Sequence, residues 1–284
     1  MLYKRYYSIG AFKTAALDIL LENEAQNNLI LSLMTSRGSR NASDWLLATI
    51  TGNEGVALTA LCIKPFGLLL YETGNIQSED SVMLLARELH KAGFAPPGVM
   101  AERGLARRFA KAYSPDGGYA LHMPMTAMRL DNLRENKKAP GFSRLLDIRD
   151  MSFAPDWERA FNEDCRAHVF TRRETVERLK ARIIGGTHYL WIDEIPVSQA
   201  VHGRSTPGSA IITGVYTPPE YRGRGYATSI VAELSKTLLE SGCGFCCLFA
   251  DADNQTSCGI YRRLGYYDVC DFEDIRFDIQ PEMH

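Results

Sequence analysis

The chain has 284 residues, 45% of them hydrophobic and 23% charged, with a formal net charge of -2. This is ordinary globular composition at a length that suits two domains, and the near-neutral balance speaks against nucleic-acid binding. No apolar run reaches the roughly 18 residues of a membrane span, and Lys13 and Asp18 interrupt the N-terminal stretch that a signal peptide would keep apolar, so a cytoplasmic protein is expected.

The first predicted element is an amphipathic helix over 15–34, with Leu17, Leu20, Leu21, Ala25, Leu29 and Leu33 at helical spacing. Residues 45–63 read as two strands around a Gly52-Asn53-Glu54-Gly55 turn, and 67–74 as a further strand. A helix over 78–94 takes Ser78 as N-cap and Gly93 as its stop, and 104–113 is another helix. Residues 129–144 are polar, charged and broken by Pro140 and Gly141. That is linker composition. It divides the chain into a first domain over 1–130, a linker over 131–143 and a second domain over 144–284.

The second domain opens with a strand over 144–151, followed by helices within 155–182. Asp193 and Glu194 separate two strand-like runs in 187–203, and 209–217 is strongly β-prone. The helix over 226–240 carries Ala227, Ile230, Val231, Leu234 and Leu238 on one face and stops near Gly242. A continuous apolar strand, 245–250, follows, so strand, helix and strand form a parallel βαβ unit with a right-handed crossover. The loop between strand and helix sits where open α/β sheets bind ligands.

That loop lies in "TPPEYRGRGYATSIV", residues 217–231. Gly223 and Gly225 remove side chains and permit positive φ. The unpartnered N–H groups of a helix N-terminus can then form a nest around phosphate oxygens. The plainer reading is a solvated turn whose glycines only make the bend. Downstream, "DADNQTSCGIYRRLGYYDV" (251–269) places Asn254 and Tyr261 seven residues apart on a short helix closed by Gly265. "YYDVCDF" and "DIRFDI" supply terminal strands.

Cys243, Cys246, Cys247 and Cys258 crowd together and invite a metal reading. The six histidines, at 90, 122, 168, 188, 202 and 284, are scattered and form no second ligand cluster. "FCCLFA" reads instead as a buried strand, in which free Cys acts as a small hydrophobe. No metal is expected.

Residues 209–277 resemble the GNAT superfamily of acyl-CoA-dependent N-acetyltransferases. Arg222, Gly225 and Ala227 fill its pyrophosphate pattern, and Asn254, Ser257, Ile260, Tyr261, Gly265 and Tyr266 fill its later one. The resemblance implies an α/β (mixed α+β) fold with central mixed sheets flanked by helices and the cofactor site in the C-terminal half. It implies acetyl-CoA as cosubstrate, with Val215, Tyr216 and Thr217 on the pantetheine arm. Arg222, Gly223, Arg224, Gly225, Tyr226, Ala227 and Thr228 would lie around the pyrophosphate, and Asn254 on the arm. Tyr261 would lie near the thioester sulfur as general acid, with a backbone N–H near Val215 as oxyanion donor. The acceptor would be a primary amine of a small molecule or peptide. Two alternatives stand beside this: a non-catalytic acyl-CoA-binding module, and transfer from a longer acyl-CoA.

No general base is identified. Strand 209–217 has no carboxylate; Asp193, Glu194 and Glu220 are candidates, each with a solvated turn charge as its plainer reading, and a water relay would also serve. The first domain lacks the loop pattern, since "RGLARRFA" (103–110) has no second glycine. Its element order resembles a degenerate GNAT-like half, making two tandem GNAT-like domains. An unrelated capping domain is the other reading.

Overall fold

The computed structural model describes residues 1–36, 45–74, 78–203 and 206–278. Two compact units divide it: Met1–Ala127 together with the residues from Asp268 onward, and Met128–Tyr267. The sequence division keeps the last strand with the second domain; here it groups with the first unit.

The first unit runs β1 (Leu2–Tyr6), α1 (Ile9–Glu22), α2 (Glu24–Ser36), β2 (Trp45–Gly52), β3 (Gly55–Ile63), β4 (Leu68–Glu72), α3 (Glu79–Lys91), β5 (Gly98–Glu102) and α4 (Arg103–Tyr113). Strand β6 (Tyr119–Leu130) follows. Strands β1 to β4 pair antiparallel in sequence order, and β4 pairs parallel with β5 across α3. Strand β2 is buried on both faces because its side chains alternate between two cores. Leu46, Ala48 and Ile50 pack with Leu85 of α3 and Phe109 of α4, while Trp45 and Leu47 pack with Phe12 and Leu20 of α1.

The expected single helix over 15–34 is two helices. Asn23 leaves helical geometry at φ -127° and ψ 58°, and its side-chain amide donates to the Tyr71 hydroxyl at 2.8 Å. An Asn that finds a partner off the helix competes with the helical backbone, which a count of leucines does not register. Among the expected face residues Leu20 and Ala25 are buried, but Leu17, Leu21, Leu29 and Leu33 are half-buried. The hairpin turns where expected, with Gly52 opposite Gly55. Ser78 caps α3, and Gly93 follows it at φ +62°.

The second unit runs β7 (Phe142–Leu145), α5 (Ala154–Asp164), α6 (Arg172–Gly185), β8 (His188–Asp193), β9 (Ile195–His202), β10 (Ser209–Tyr216), α7 (Tyr226–Glu240), β11 (Phe245–Asp251) and α8 (Gln255–Leu264). Strand order is β11-β10-β9-β8-β7, antiparallel except for β10 against β11. The expected βαβ unit is therefore present. The strand expected over 144–151 ends at Leu145 and gives way to a 3-10 helix, Ile148–Ser152, capped by Asp147. The two expected terminal strands are one, β12 (Tyr267–Phe277), whose residues Phe272–Arg276 pair antiparallel with Gly98–Glu102 of β5.

Residues 138–140, within the expected linker, bond to residues of α7 and β8. The Ala139 N–H donates to Ser229 Oγ at 2.8 Å, and Trp191 Nε1 donates to the Pro140 carbonyl at 2.8 Å. Lys138 lies over the Trp191 ring and pairs with Glu233 at 3.2 Å. Backbone groups of Ala139 and Pro140 here satisfy the buried Ser229 and Trp191 side chains. No helix among the described residues is long and apolar enough to cross a membrane.

Candidate active site

Strands β10 and β11 part company. Their parallel ladder runs only over Ser209–Ile211 against Phe245–Cys247, whereas β10 continues to Tyr216. On its other edge β10 stays with β9, but the register shifts between Thr213 and Tyr216. Gly214 sits in that irregularity at φ +61°, where a Cβ would approach Val201 Cγ2 to 3.0 Å. A bulge of this kind bends a strand and re-aims the groups beyond it. Those groups are Val215, Tyr216 and Thr217. The Ser198 hydroxyl donates to the Tyr216 carbonyl at 3.1 Å and lies 2.8 Å from Thr217 Oγ1.

The loop leaving β10 reaches α7 through two left-handed glycines, Gly223 at φ +77° and Gly225 at φ +84°. Gly225 is the N-cap of α7 and offers no side chain, and the first turn of the helix holds no acidic residue. A Cβ on Gly223 would meet nothing within 4 Å, and one on Gly225 only the Ala139 Cβ at 3.8 Å. A side chain would thus meet little at either glycine, and the dipole of α7 ends at a first turn that holds no acidic residue of its own. Residues 222–225 are exposed, and Ala227 and Thr228 are half-buried in the first turn.

The loop arginines are held by neighbours. Arg222 Nε donates to the Thr217 carbonyl at 2.9 Å, and its Nη2 pairs with Asp164 at 2.7 Å; both side chains are half exposed, so the pair contributes little stability. Arg224 donates to the Glu220 carbonyl at 3.2 Å. The Tyr226 hydroxyl, 5% exposed as a residue, donates to the Asp193 carboxylate, a bond that raises the tyrosine's pKa. Asp193, a base candidate in the sequence, is thereby engaged. Glu194 forms the β8–β9 turn at φ +61°, and Glu220 is exposed.

Asn254 and Tyr261 both belong to α8 but differ in surroundings. Asn254 is the exposed N-cap, its Oδ1 accepting the Ser257 N–H at 3.0 Å. Tyr261 is 9% exposed and packs edge-on to Tyr266 at 5.8 Å between ring centroids. Burial, with smaller contributions from Cys165 and Cys258, pushes its hydroxyl far above the usual tyrosine range. The group stays protonated at every physiological pH, a standing hydrogen-bond donor. Cys246 and Cys247 are fully buried in β11, and burial raises the Cys246 thiol to about 12. Among the described residues no group of three or more His, Cys, Asp and Glu is placed to hold a metal ion.

A buried polar network behind the bulge escaped the sequence reading. Gln199 Nε2 donates to Glu158 Oε1 at 3.3 Å and lies 3.4 Å from the Gly214 carbonyl. Its Oε1 is 3.2 Å from His188 Nε2, and Glu158 pairs with Arg182 at 2.7 Å. His188 is 1% exposed, and burial followed by the Arg182 charge lowers its pKa to about 4. The neutral ring donates through Nε2, which leaves Nδ1 without a hydrogen bond. The signal was available: Ser198 and Gln199 interrupt an apolar strand, and a polar pair inside such a strand has to be satisfied.

Residues 156–269 match the family model described as "Acetyltransferase (GNAT) domain". Among curated relatives, an acetyltransferase of Yersinia pestis is 39% identical over 59 residues, 21% of this chain and 40% of that protein. The chain thus spans less than half the length of the curated relatives it matches. Among solved structures, a GCN5-related N-acetyltransferase from Sphaerobacter thermophilus aligns over 98% of this chain and 96% of its own, with TM-score 0.68 and 16% identity. A tandem GNAT protein from the clavulanic acid biosynthesis pathway aligns over 99% of both chains, with TM-score 0.56 and 12% identity. At these identities the likeness is one of fold: a mixed α/β architecture in two GNAT-like halves.

Proposed function

We propose that the second unit, whose residues 156–269 match the GNAT domain model, is an acetyl-CoA-dependent N-acetyltransferase acting on a primary amine of a small molecule or peptide. One observation carries this reading. Strand β10 parts from β11 beside a loop that clears side chains from a helix N-terminus. The parting suits the extended pantetheine arm, which would add to the free edge at Val215, Tyr216 and Thr217. The cleared N-terminus suits a pyrophosphate on the N–H groups from Gly223 to Thr228, with Arg222 and Arg224 flanking it. Asn254, whose Oδ1 is committed to capping, would offer its Nδ2 to the arm.

In the transfer, the uncharged amine nitrogen bonds to the thioester carbonyl carbon, and the carbonyl oxygen takes up charge. A backbone N–H near Val215, beyond the bulge, would donate to that oxygen. The nitrogen gives its surplus proton to water, the carbon–sulfur bond breaks, and the sulfur leaves as a thiolate. Tyr261 donates a hydrogen bond to that sulfur. A tyrosine of ordinary pKa, about 10, against a thiol of roughly 8.5 already makes complete proton transfer uphill by about 2 kcal/mol. Burial of Tyr261 makes it more so. Its role is therefore to stabilise the thiolate by hydrogen bonding, and solvent protonates it later.

The test is a panel of small amines and peptide N-termini incubated with the full chain and acetyl-CoA. Free thiol release is read together with the mass of the acetylated amine. Transfer to at least one amine is expected; thioester loss without an acetylated product would overturn the proposal.

A further inference from the structure

The first unit holds a βαβ unit of its own, β4–α3–β5, and its ladder also stops short. Leu68 pairs with Val99 and Leu69 with Met100, while β4 runs on to Glu72. At the end of β4 lies a cavity of about 230 Å3 whose walls include Asn23, Gln26, Tyr71, Glu72, Thr73 and Glu102. That is room for roughly eight waters, or one small molecule.

Its polar groups differ from those of the second unit. The N-terminus of α3 is already answered by the chain itself: Glu72 Oε1 accepts the Ser78 N–H at 3.1 Å and the Ser81 hydroxyl at 3.4 Å. The Arg108 guanidinium clamps the same carboxylate. A phosphate has no place there. Glu102 uses Oε2 to accept the Leu105 N–H at 3.1 Å as the N-cap of α4. Tyr71 is 2% exposed, and its hydroxyl accepts from Asn23 at 2.8 Å, which leaves its own proton to give. The amides of Asn23 and Gln26 complete the wall. Counting Arg108 against Glu72 and Glu102, the cavity and its clamp carry one uncompensated negative charge.

We propose that this cavity is a binding site for a small molecule bearing a single ammonium group and no phosphate, with the ammonium on Glu102 and a hydrogen-bond acceptor facing the Tyr71 hydroxyl. The half-buried Glu102 carboxylate and the amide oxygens beside it select a cationic donor, and the self-capped helix rejects an anion. The site belongs to the first unit alone and stands apart from the transferase reading of the second.

The experiment titrates the full chain with ethanolamine and with glycinamide, using acetate and inorganic phosphate as counter-probes at matched ionic strength. Both amines are expected to bind saturably and the two anions not to bind. Glu102→Gln keeps a carbonyl to cap α4 but removes the charge, and should weaken ethanolamine binding at least tenfold. If thermal denaturation shows Glu102→Gln to be misfolded, Tyr71→Phe supplies the readout, with at least threefold weakening expected. Absence of saturable amine binding, phosphate binding in its place, or unchanged affinity in the folded variant overturns the proposal.

Discussion

Replacing Gly225 by valine sets the phosphate-cradle reading of the loop against its plainer reading as a turn. Gly225 sits at φ +84° and ψ 3°, where a Cβ meets only Ala139 at 3.8 Å, an ordinary contact. Packing tolerates the change, and the damage is to the backbone, about 2 kcal/mol for a side chain held in left-handed geometry. Gly242, beyond the other end of the same helix, has φ +99° and nothing within 4 Å of a built Cβ. Gly242→Val therefore carries the same kind of strain far from the loop. Both variants should lose roughly 5 °C of thermal midpoint, on a scale of about 2–4 °C per kcal/mol for large domains. Only Gly225→Val puts methyl groups where the pyrophosphate would lie. Calorimetric titration should show acetyl-CoA binding at least 100-fold weaker in that variant, about 2.7 kcal/mol, and within threefold of wild type for Gly242→Val. Wild-type affinity in Gly225→Val would refute the cradle.

Gln199→Leu should lower kcat about tenfold while leaving the Kd for acetyl-CoA within threefold, because it frees the Gly214 carbonyl at the bulge without touching the loop; equal losses in kcat and affinity would mean general unfolding of the site. His188 makes stability fall in acid. Its folded pKa of about 4 lies below the unfolded value of about 6.5, so its contribution is complete above the unfolded value and is lost as pH falls through 6.5 toward 4. The difference amounts to about 3 kcal/mol at most, and urea titrations at neutral and acid pH should show a shallower acid loss in His188→Gln than in wild type. Because Tyr261 stays protonated, its ionisation should not appear in a rate profile below about pH 10; a limb near neutrality that vanishes in Tyr261→Phe would contradict the burial argument.

What could be read in advance was whatever local chemistry dictates. The Gly-Asn-Glu-Gly hairpin, the Ser78 cap, the glycine-opened loop and the parallel βαβ unit depend on turn residues, caps and periodicity, and all are present. Asn23 shows where that reading fails, because its partner Tyr71 is 48 residues away and no local pattern marks the bond. The return of β12 to pair with β5 was invisible for the same reason, since pairing over such separations leaves no mark on either strand. Strand β5 is five residues long, too short to show an alternation. Of the site, the backbone part was legible because glycine announces it. Of the network of Glu158, Arg182, His188 and Gln199 only the polar interruption of β9 at Gln199 was legible, because its partners come from three other elements and nothing local marks the bonds.

The most direct test of the central claim is steady-state acetyl transfer by the wild-type chain and by Tyr261→Phe, with an amine that the panel selects. The ring remains and one hydroxyl is lost, so the KM for acetyl-CoA should stay within a few-fold while kcat falls by roughly 100-fold, about 2.7 kcal/mol of transition-state stabilisation. An unchanged kcat would assign Tyr261 to packing alone. A wild-type chain that binds acetyl-CoA and acetylates no amine would contradict the transferase itself.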